Sequence, residues 1–236
     1  MKILAVDTST ASGSIALLND MQIEAEWTLR SSETHNRRLL KTVDHILHEV
    51  GWELNEIGGL AVTTGPGSFT GVRIGLTTVK TLAWSLKVPF VGVPSLDALA
   101  APLSFAGLPV CTVLDARKQE VYFAIFRPEG KGVQSRQGPY HVASPAAVRK
   151  EIDGPTILCG DGWLLYRDLL LKDLGSLAIE APAPYHTIRA GFVGELARAR
   201  ILAGETDNPM TSAPLYVRPS EAELHHLDPA FNRHHS

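Results

Sequence analysis

Cysteine is almost missing from this chain. Its two copies, Cys111 and Cys159, lie far apart and fit no metal-ligand spacing, so a reducing, intracellular compartment is the simplest setting. Long hydrophobic runs are also missing; the apolar stretches are strand-sized or periodic, and none suits a membrane span. The opening run MKILAVD meets an aspartate at position 7, too early for the apolar core of a signal peptide. A cytoplasmic protein with no membrane contact is expected. Neither sign of charge dominates: 22 Lys and Arg stand against 25 Asp and Glu, a formal net charge of −3. That excludes a chain-wide basic field for nucleic acid and leaves RNA to a local patch or a partner.

What is present suits a folded α/β protein. The chain has 236 residues, 44% of them hydrophobic and 20% charged, enough for one large or two small domains with a real core. KILAVD, GSIALLND and QIEAEWTLR read as three successive strands. NRRLLKTVDHILHEV reads as an amphipathic helix with Leu39, Val43, Ile46 and Val50 on one face and Gly51 as its stop. LNEI is a helical turn and GLAVTT a buried strand; over 71–87, Val72, Leu76, Val79, Ala83 and Leu86 again mark a helix. FVGVP is a strand, and SLDALAAPL a short helix capped by Ser95. Antiparallel strands followed by crossover units predict a mixed sheet flanked by helices.

The second half repeats the pattern. PVCTVLD and EVYFAIFR are strands around a polar turn, SPAAVRKEI is a capped helix, TILCGDG a strand and turn, and WLLYRDLLLKDL a helix. VDTSTASGSIAL and VLDARKQEVYFAI share one strand, Asp-containing turn and returning strand, so a duplicated two-half architecture is expected. The expected boundaries are 1–105 and 106–217, with a tail at 218–236 that loses periodicity and reads as disordered. The helix at 187–204 is free to pack back on the first half, with Ile188, Phe192, Leu196, Ala199 and Leu202 or Ala203 as its stripe.

The most unusual stretch is TTGPGSFTGVRIGLTTVK, residues 63–80. Gly71 is followed by Val72 and Arg73 rather than Lys and Ser or Thr, so a Walker A loop is absent. Gly65, Gly67 and Gly71 are spaced one residue too long for a dinucleotide fingerprint. Two readings stay open: a strand-to-helix turn that holds an anion through free amides, or a tight turn and a packing face. In the second, Ser68 or Thr70 caps the helix, and Gly71, Gly75 and Thr78 share one side where another backbone, within the chain or from a second chain, comes close. Asp7 and Asp115 end strands at turns, and Asp7-Thr8-Ser9 is a candidate for weak nucleotide contact; bonds to the turn's own amides are the plainer account. His45 and His48 fall on the outward helix face without a third ligand, and the histidine pairs of the tail, His225-His226 and His234-His235, make at most an adventitious metal site.

MKILAVDTSTASGSIAL, His35, TGPGSFTGVRIGLTTVKTLAWSLKVPFVGVPSLDALA and LDARKQEVYFAIF together resemble the bacterial TsaB family, also called YeaZ, over roughly residues 1–126 and more loosely to Arg218. The resemblance implies the actin-like, Hsp70-like, sugar-kinase fold. It also implies a role in forming N6-threonylcarbamoyladenosine on tRNAs that read codons starting with A. In that family the protein is a non-catalytic partner of TsaD, the metal-holding paralogue with a His-x-x-x-His motif, and of the ATPase TsaE. Here His35 matches the first histidine and Leu39 stands in place of the second, so no catalytic residue, metal or tightly bound cofactor is expected, beyond weak ATP or ADP at a partner interface. The implied partners are TsaD, TsaE and, in isolation, a second copy, with tRNA reached only indirectly.

The expected partner interface is the face of the 68–86 helix. It begins with Ser68, Phe69 and Thr70, continues through Gly71, Val72, Arg73, Gly75 and Leu76, and ends with Thr78, Val79 and Leu82; Leu39 and Val43 join it from the 36–50 helix. The alternative is an enzyme acting alone, either an actin-fold nucleotide hydrolase or kinase using Asp7 or a metal-dependent hydrolase using His35.

Overall fold

The computed structural model describes residues 1–30, 39–130 and 134–217. The chain opens with β1 (Lys2–Asp7), β2 (Ser12–Asn19) and β3 (Gln22–Arg30), each antiparallel to the one before. Then come α1 (Leu39–Val50), β4 (Gly59–Gly65), α2 (Phe69–Leu86), β5 (Phe90–Pro94) and α3 (Ser95–Ala100). β4 runs parallel to β1, and β5 parallel to β4, giving a five-stranded sheet in the order β3-β2-β1-β4-β5.

The second half is built the same way. It contains β6 (Val110–Asp115), β7 (Val121–Pro128), β8 (Gln134–Ala143), α4 (Val148–Glu151), β9 (Thr156–Cys159), α5 (Asp161–Leu165), α6 (Arg167–Leu174) and β10 (Ala178–Glu180). Its sheet order, β8-β7-β6-β9-β10, repeats the first strand for strand, with the same antiparallel and parallel pairings. This duplicated sheet is the actin-like architecture that the resemblance implies. The final helix, α7 (Ala190–Leu202), packs on β1, β2 and β4 of the first sheet.

The elements stack in layers, and the apolar patterns follow. β1 and β2 read as almost continuous apolar runs because both of their faces are covered. One face (Leu4, Val6, Leu17, Leu60, Val62) meets α1 and α2 through Val43, Ile46, Leu76 and Val79. The other (Ile3, Ala5, Ala16, Ala61) meets α7 and α3, which share a core with Leu114, Ala124 and Phe126 of the second sheet. Outside that sheet, Trp163, Leu170 and Val148 complete a third cluster. Among the described residues no helix is long and apolar enough to cross a membrane.

Several local expectations change. β8 is not legible in SRQGPYHVA, a polar edge strand that exists because β7 offers it a pairing partner. Pro94, not Ser95, is the N-cap of α3, and the buried Ser95 hydroxyl has no hydrogen-bond partner among the described residues. The single helix expected over residues 163–174 is two, α5 and α6, broken at Tyr166. SPAAVRKEI forms a 3-10 turn and a short helix, and Ser144 at its start makes no side-chain cap bond.

The stripe of α7 is the largest change. Its buried face is Ala190, Gly191, Val193, Gly194 and Ala197, whereas Phe192 and Leu196 are half-buried and Ala199 and Leu202 exposed. Small residues win because the helix lies close on the sheet: a Cβ on Gly194 would press on Leu18 and come within 3.2 Å of the Ala5 methyl. Gly194→Val is expected to destabilise the fold by about 1–3 kcal/mol through overpacking. Thermal unfolding should record a loss of several degrees, whereas an unchanged melting temperature would contradict this close approach.

Candidate functional site

The site begins where β1 ends. The Asp7 carboxylate accepts hydrogen bonds at one oxygen from the Ser9 amide (3.0 Å), the Ser9 hydroxyl (2.6 Å) and the Thr63 hydroxyl of β4 (2.7 Å). Thr8 donates its hydroxyl to the carbonyl oxygen of Gly71 (2.8 Å), and the Ser68 amide donates to the carbonyl oxygen of Ser9 (2.7 Å). Asp7, Thr8 and Ser9 are 0%, 2% and 0% exposed. At this candidate nucleotide contact the three side chains serve internal bonds, while Ser9, with Thr10 and Ala11, also lines a cavity.

The glycines of the 63–80 stretch explain the closure. A Cβ on Gly67 would strike the Ser9 carbonyl, one on Gly71 the Thr8 carbonyl, and one on Gly75 the Thr8 hydroxyl. Gly65 and Gly67 also lie at φ +99° and +158°, positive values that side-chain-bearing residues rarely adopt. The backbone that approaches the glycine face is thus the chain's own first turn. Ser68 is the N-cap of α2, its hydroxyl accepting from the Gly71 amide (3.2 Å), a bond of about 1 kcal/mol.

The interface expectation divides accordingly. Gly71, Val72, Gly75, Leu76 and Val79 of α2, and Leu39 and Val43 of α1, are buried in the chain's own core, where periodicity alone cannot separate a core stripe from a docking stripe. Ser68, Phe69, Thr70 and Arg73 are exposed, with Thr78 and Leu82 at the margin. Trp84, absent from the sequence reading, is 66% exposed, and Leu40 of α1 56%. A single exposed tryptophan on an otherwise regular helix was the available signal. His45 and His48 are exposed on α1, while His35 and the tail at 218–236 lie outside the described residues. Among the described residues no group of His, Cys, Asp or Glu could hold a metal ion.

A second feature missed by the sequence reading is a strap at residues 207–217. Asp207 accepts from the Gly92 amide (2.8 Å) and from Arg200 (3.0 Å), fastening the strap at β5. Farther on, Lys80 donates to the Ser212 carbonyl (2.6 Å) and the Leu215 amide to the Thr64 carbonyl (2.8 Å). Arg73 lies 3.8 Å over the Phe69 ring and donates to the Tyr216 hydroxyl (3.0 Å), while Tyr216 stacks on Phe69 at 5.7 Å. The strap thus holds the beginning of α2 in one arrangement.

Across a cavity of about 580 Å³ lies the corresponding turn of the second half. There Asp115 accepts from the Arg117 amide (2.8 Å) and pairs with its guanidinium (3.1 Å), while the Asp115 amide donates to Asp161 (3.0 Å). Arg117, Lys118 and Gln119 all adopt positive φ (61°, 51° and 61°), at a cost of order 1 kcal/mol each. Burial pushes the Asp161 carboxyl above the usual carboxylate range, and the nearby Asp115 charge adds to this.

A family model described as TsaD: tRNA N6-adenosine threonylcarbamoyltransferase matches residues 29–158. The chain is 32% identical over 226 residues to the tRNA threonylcarbamoyladenosine biosynthesis protein TsaB of Bacillus subtilis (strain 168), a match covering 94% of this chain and 96% of that protein. Over 174 residues it is 36% identical to the protein of the same name from Escherichia coli (strain K12), covering 72% and 75% respectively. In three dimensions it is similar to YeaZ from Pseudomonas aeruginosa, with a TM-score of 0.80 and 29% identity over 92% of this chain and 99% of that one.

Two measurements test the site. Gly75→Ala should destabilise the protein by about 1–3 kcal/mol, and Thr8→Ala should recover part of that loss because it removes the hydroxyl in the way. Gly71→Ala, which meets a backbone oxygen, should not be rescued; strict additivity of Gly75→Ala and Thr8→Ala in unfolding experiments would contradict the packing. For Asp161, a raised folded-state pKa means that the ionised carboxylate costs stability, so its contribution is fully present at low pH and is lost as pH rises through the folded pKa. Asp161→Asn should therefore gain on the parent in melting temperature at neutral pH, and the gain should shrink on acidification. A difference independent of pH would contradict this.

Proposed function

This chain belongs to the TsaB (YeaZ) family and has a role in tRNA threonylcarbamoyladenosine biosynthesis, and on that premise we propose that it acts there as a non-catalytic subunit. It scaffolds the catalytic paralogue TsaD and the ATPase TsaE during modification of tRNAs that read codons starting with A, in the cytoplasm. The observation that carries this reading is the closure of the β1 turn. The carboxylate and hydroxyls that an actin-fold enzyme would turn toward a phosphate are engaged inside the chain with Thr63 and Gly71.

The docking face is the exposed side of α2, with Phe69, Thr70, Arg73 and Trp84, together with Leu40 of α1. Both helices cover the same face of the first sheet, so their outer sides point the same way. Exposed aromatics and arginine are the residue types that dominate interface energies. TsaD, as a paralogue, would offer a related pair of helices, and one surface then serves the heterodimer and a homodimer in turn. Nucleotide, where it binds, does so weakly at such a shared interface.

Trp84→Glu tests the reading, because the side chain is exposed and its loss should leave stability within about 0.5 kcal/mol of the parent. Co-elution with TsaD should fall at least about tenfold, as for a central interface tryptophan, and tRNA modification reconstituted with TsaD and TsaE should fall with it. Undiminished TsaD binding by the folded variant would refute the docking face; undiminished modification without this chain would refute the scaffold role.

A further inference from the structure

The unexpected orientation of α7 leaves a feature unexplained. Its small residues face the sheet, so Phe192, Leu196 and Ala199 turn toward a groove of about 940 Å³ between α7 and the second half of the molecule. That volume lies in the range of ligand sites, roughly 300–1,000 Å³. Phe105, on the 3-10 segment after α3, also lines it and is 72% exposed. Phe126 and Tyr185 line it as well, so four aromatic side chains border the groove.

The groove is also locally basic, although the chain is not. Arg136, Arg189, Arg198 and Arg200 line it, against Asp97 and Glu195. Three of these arginines make internal bonds: Arg189 pairs with Glu26, Arg200 holds the Gly92 carbonyl and Asp207, and Arg136 donates to the Gly138 carbonyl. Asp97 accepts from the Tyr140 hydroxyl (2.8 Å), so its carboxylate is engaged within the wall. Arg136 is stacked 4.1 Å over the Tyr140 ring, which fixes its guanidinium plane on the wall. The Arg198 Nε and the Gln134 side-chain oxygen are enclosed without a hydrogen-bond partner among the described residues, a donor and an acceptor both facing an unmet need.

We propose that this groove binds a single-stranded stretch of RNA, with bases against Phe105 and Phe192 and phosphates drawn to Arg136 and Arg198. Aromatic platforms beside cations are how single strands are held without sequence preference, and arginine serves both phosphate and base plane. An acidic peptide would use the cations but leave the rings without stacking partners. The groove lies on the face of the first sheet opposite α1 and α2, so RNA and a docked partner can be held together. Naming the RNA as tRNA rests on the proposed function, and direct contact takes the place of the indirect one implied by the resemblance.

The test is equilibrium binding of the full chain to labelled tRNA and to a short single-stranded oligoribonucleotide, across a salt series. Both should bind, with affinity falling as salt rises. Arg136→Glu with Arg198→Glu should weaken binding about tenfold or more and flatten the salt slope by roughly 1.4. Phe105→Ala should weaken it about tenfold, the loss of one stacked base. Lys172→Glu, exposed on α6, should change neither. Because the Phe105 ring is exposed, its variant keeps the test valid if the charge reversals fail to fold. Binding unaffected by either change, or a poly-glutamate peptide held as tightly as RNA, would overturn the groove. Modification that proceeds without this chain would refute the scaffold role and leave these binding results standing, so the two failures can be told apart.

Discussion

One backbone contact organises this molecule: the first turn, Thr8-Ser9, pressed against the glycine face of α2. It needs Gly67, Gly71 and Gly75 in register, because a side chain at any of them would meet the turn's carbonyls or the Thr8 hydroxyl. The contact brings Thr8 and Ser9 within hydrogen-bond reach of Gly71 and Ser68, and so closes the Asp7 turn from outside. Glycine in a helix costs roughly 0.5–1 kcal/mol relative to alanine. The internal hydrogen bonds and the close packing offset that cost, and the strap at 207–217 secures the same helix through Lys80, Arg73 and Tyr216.

The two halves share one sheet order yet treat their turns differently. In the first, the Asp7 carboxylate is buried among hydroxyl donors and the turn is sealed by α2. In the second, glycines again permit close approach, Gly160 to Val113 and Gly162 to Leu114, but the turn that follows Asp115 carries three residues in left-handed conformation; both turns line the cavity, the first through Ser9, Thr10 and Ala11. The outer side of α2 carries Phe69, Arg73 and Trp84, all exposed, which is the face proposed for docking.

How much of this the sequence discloses depends on which physical signal decides each element. Strands β1, β2 and β4 and helices α1 and α2 are legible because their apolar periods are set by burial in the core, and the family resemblance rests on the same segments. β8 is illegible because an edge strand of polar residues takes its structure from a neighbour rather than from its own pattern. The large residues of α7 suggest the wrong face because a helix lying close on a sheet selects for the small ones. At the site, the glycine spacing correctly announces a close approach but does not say to what. Only the fold identifies Thr8, and only the fold separates buried Leu76 and Val79 from exposed Arg73 and Trp84. The strap is illegible for a related reason: its contacts join Tyr216 to Arg73 and Ser212 to Lys80 across most of the chain.

The proposed scaffold role requires that this chain, whose Asp7 carboxylate is held by internal hydrogen bonds, carry out no phosphate chemistry of its own. Titration calorimetry of the isolated protein with ATP and magnesium, combined with a phosphate-release assay, tests it most directly. The account predicts at most weak binding and no turnover above background. Tight, stoichiometric binding accompanied by turnover, abolished by Asp7→Asn in a folded protein, would contradict it.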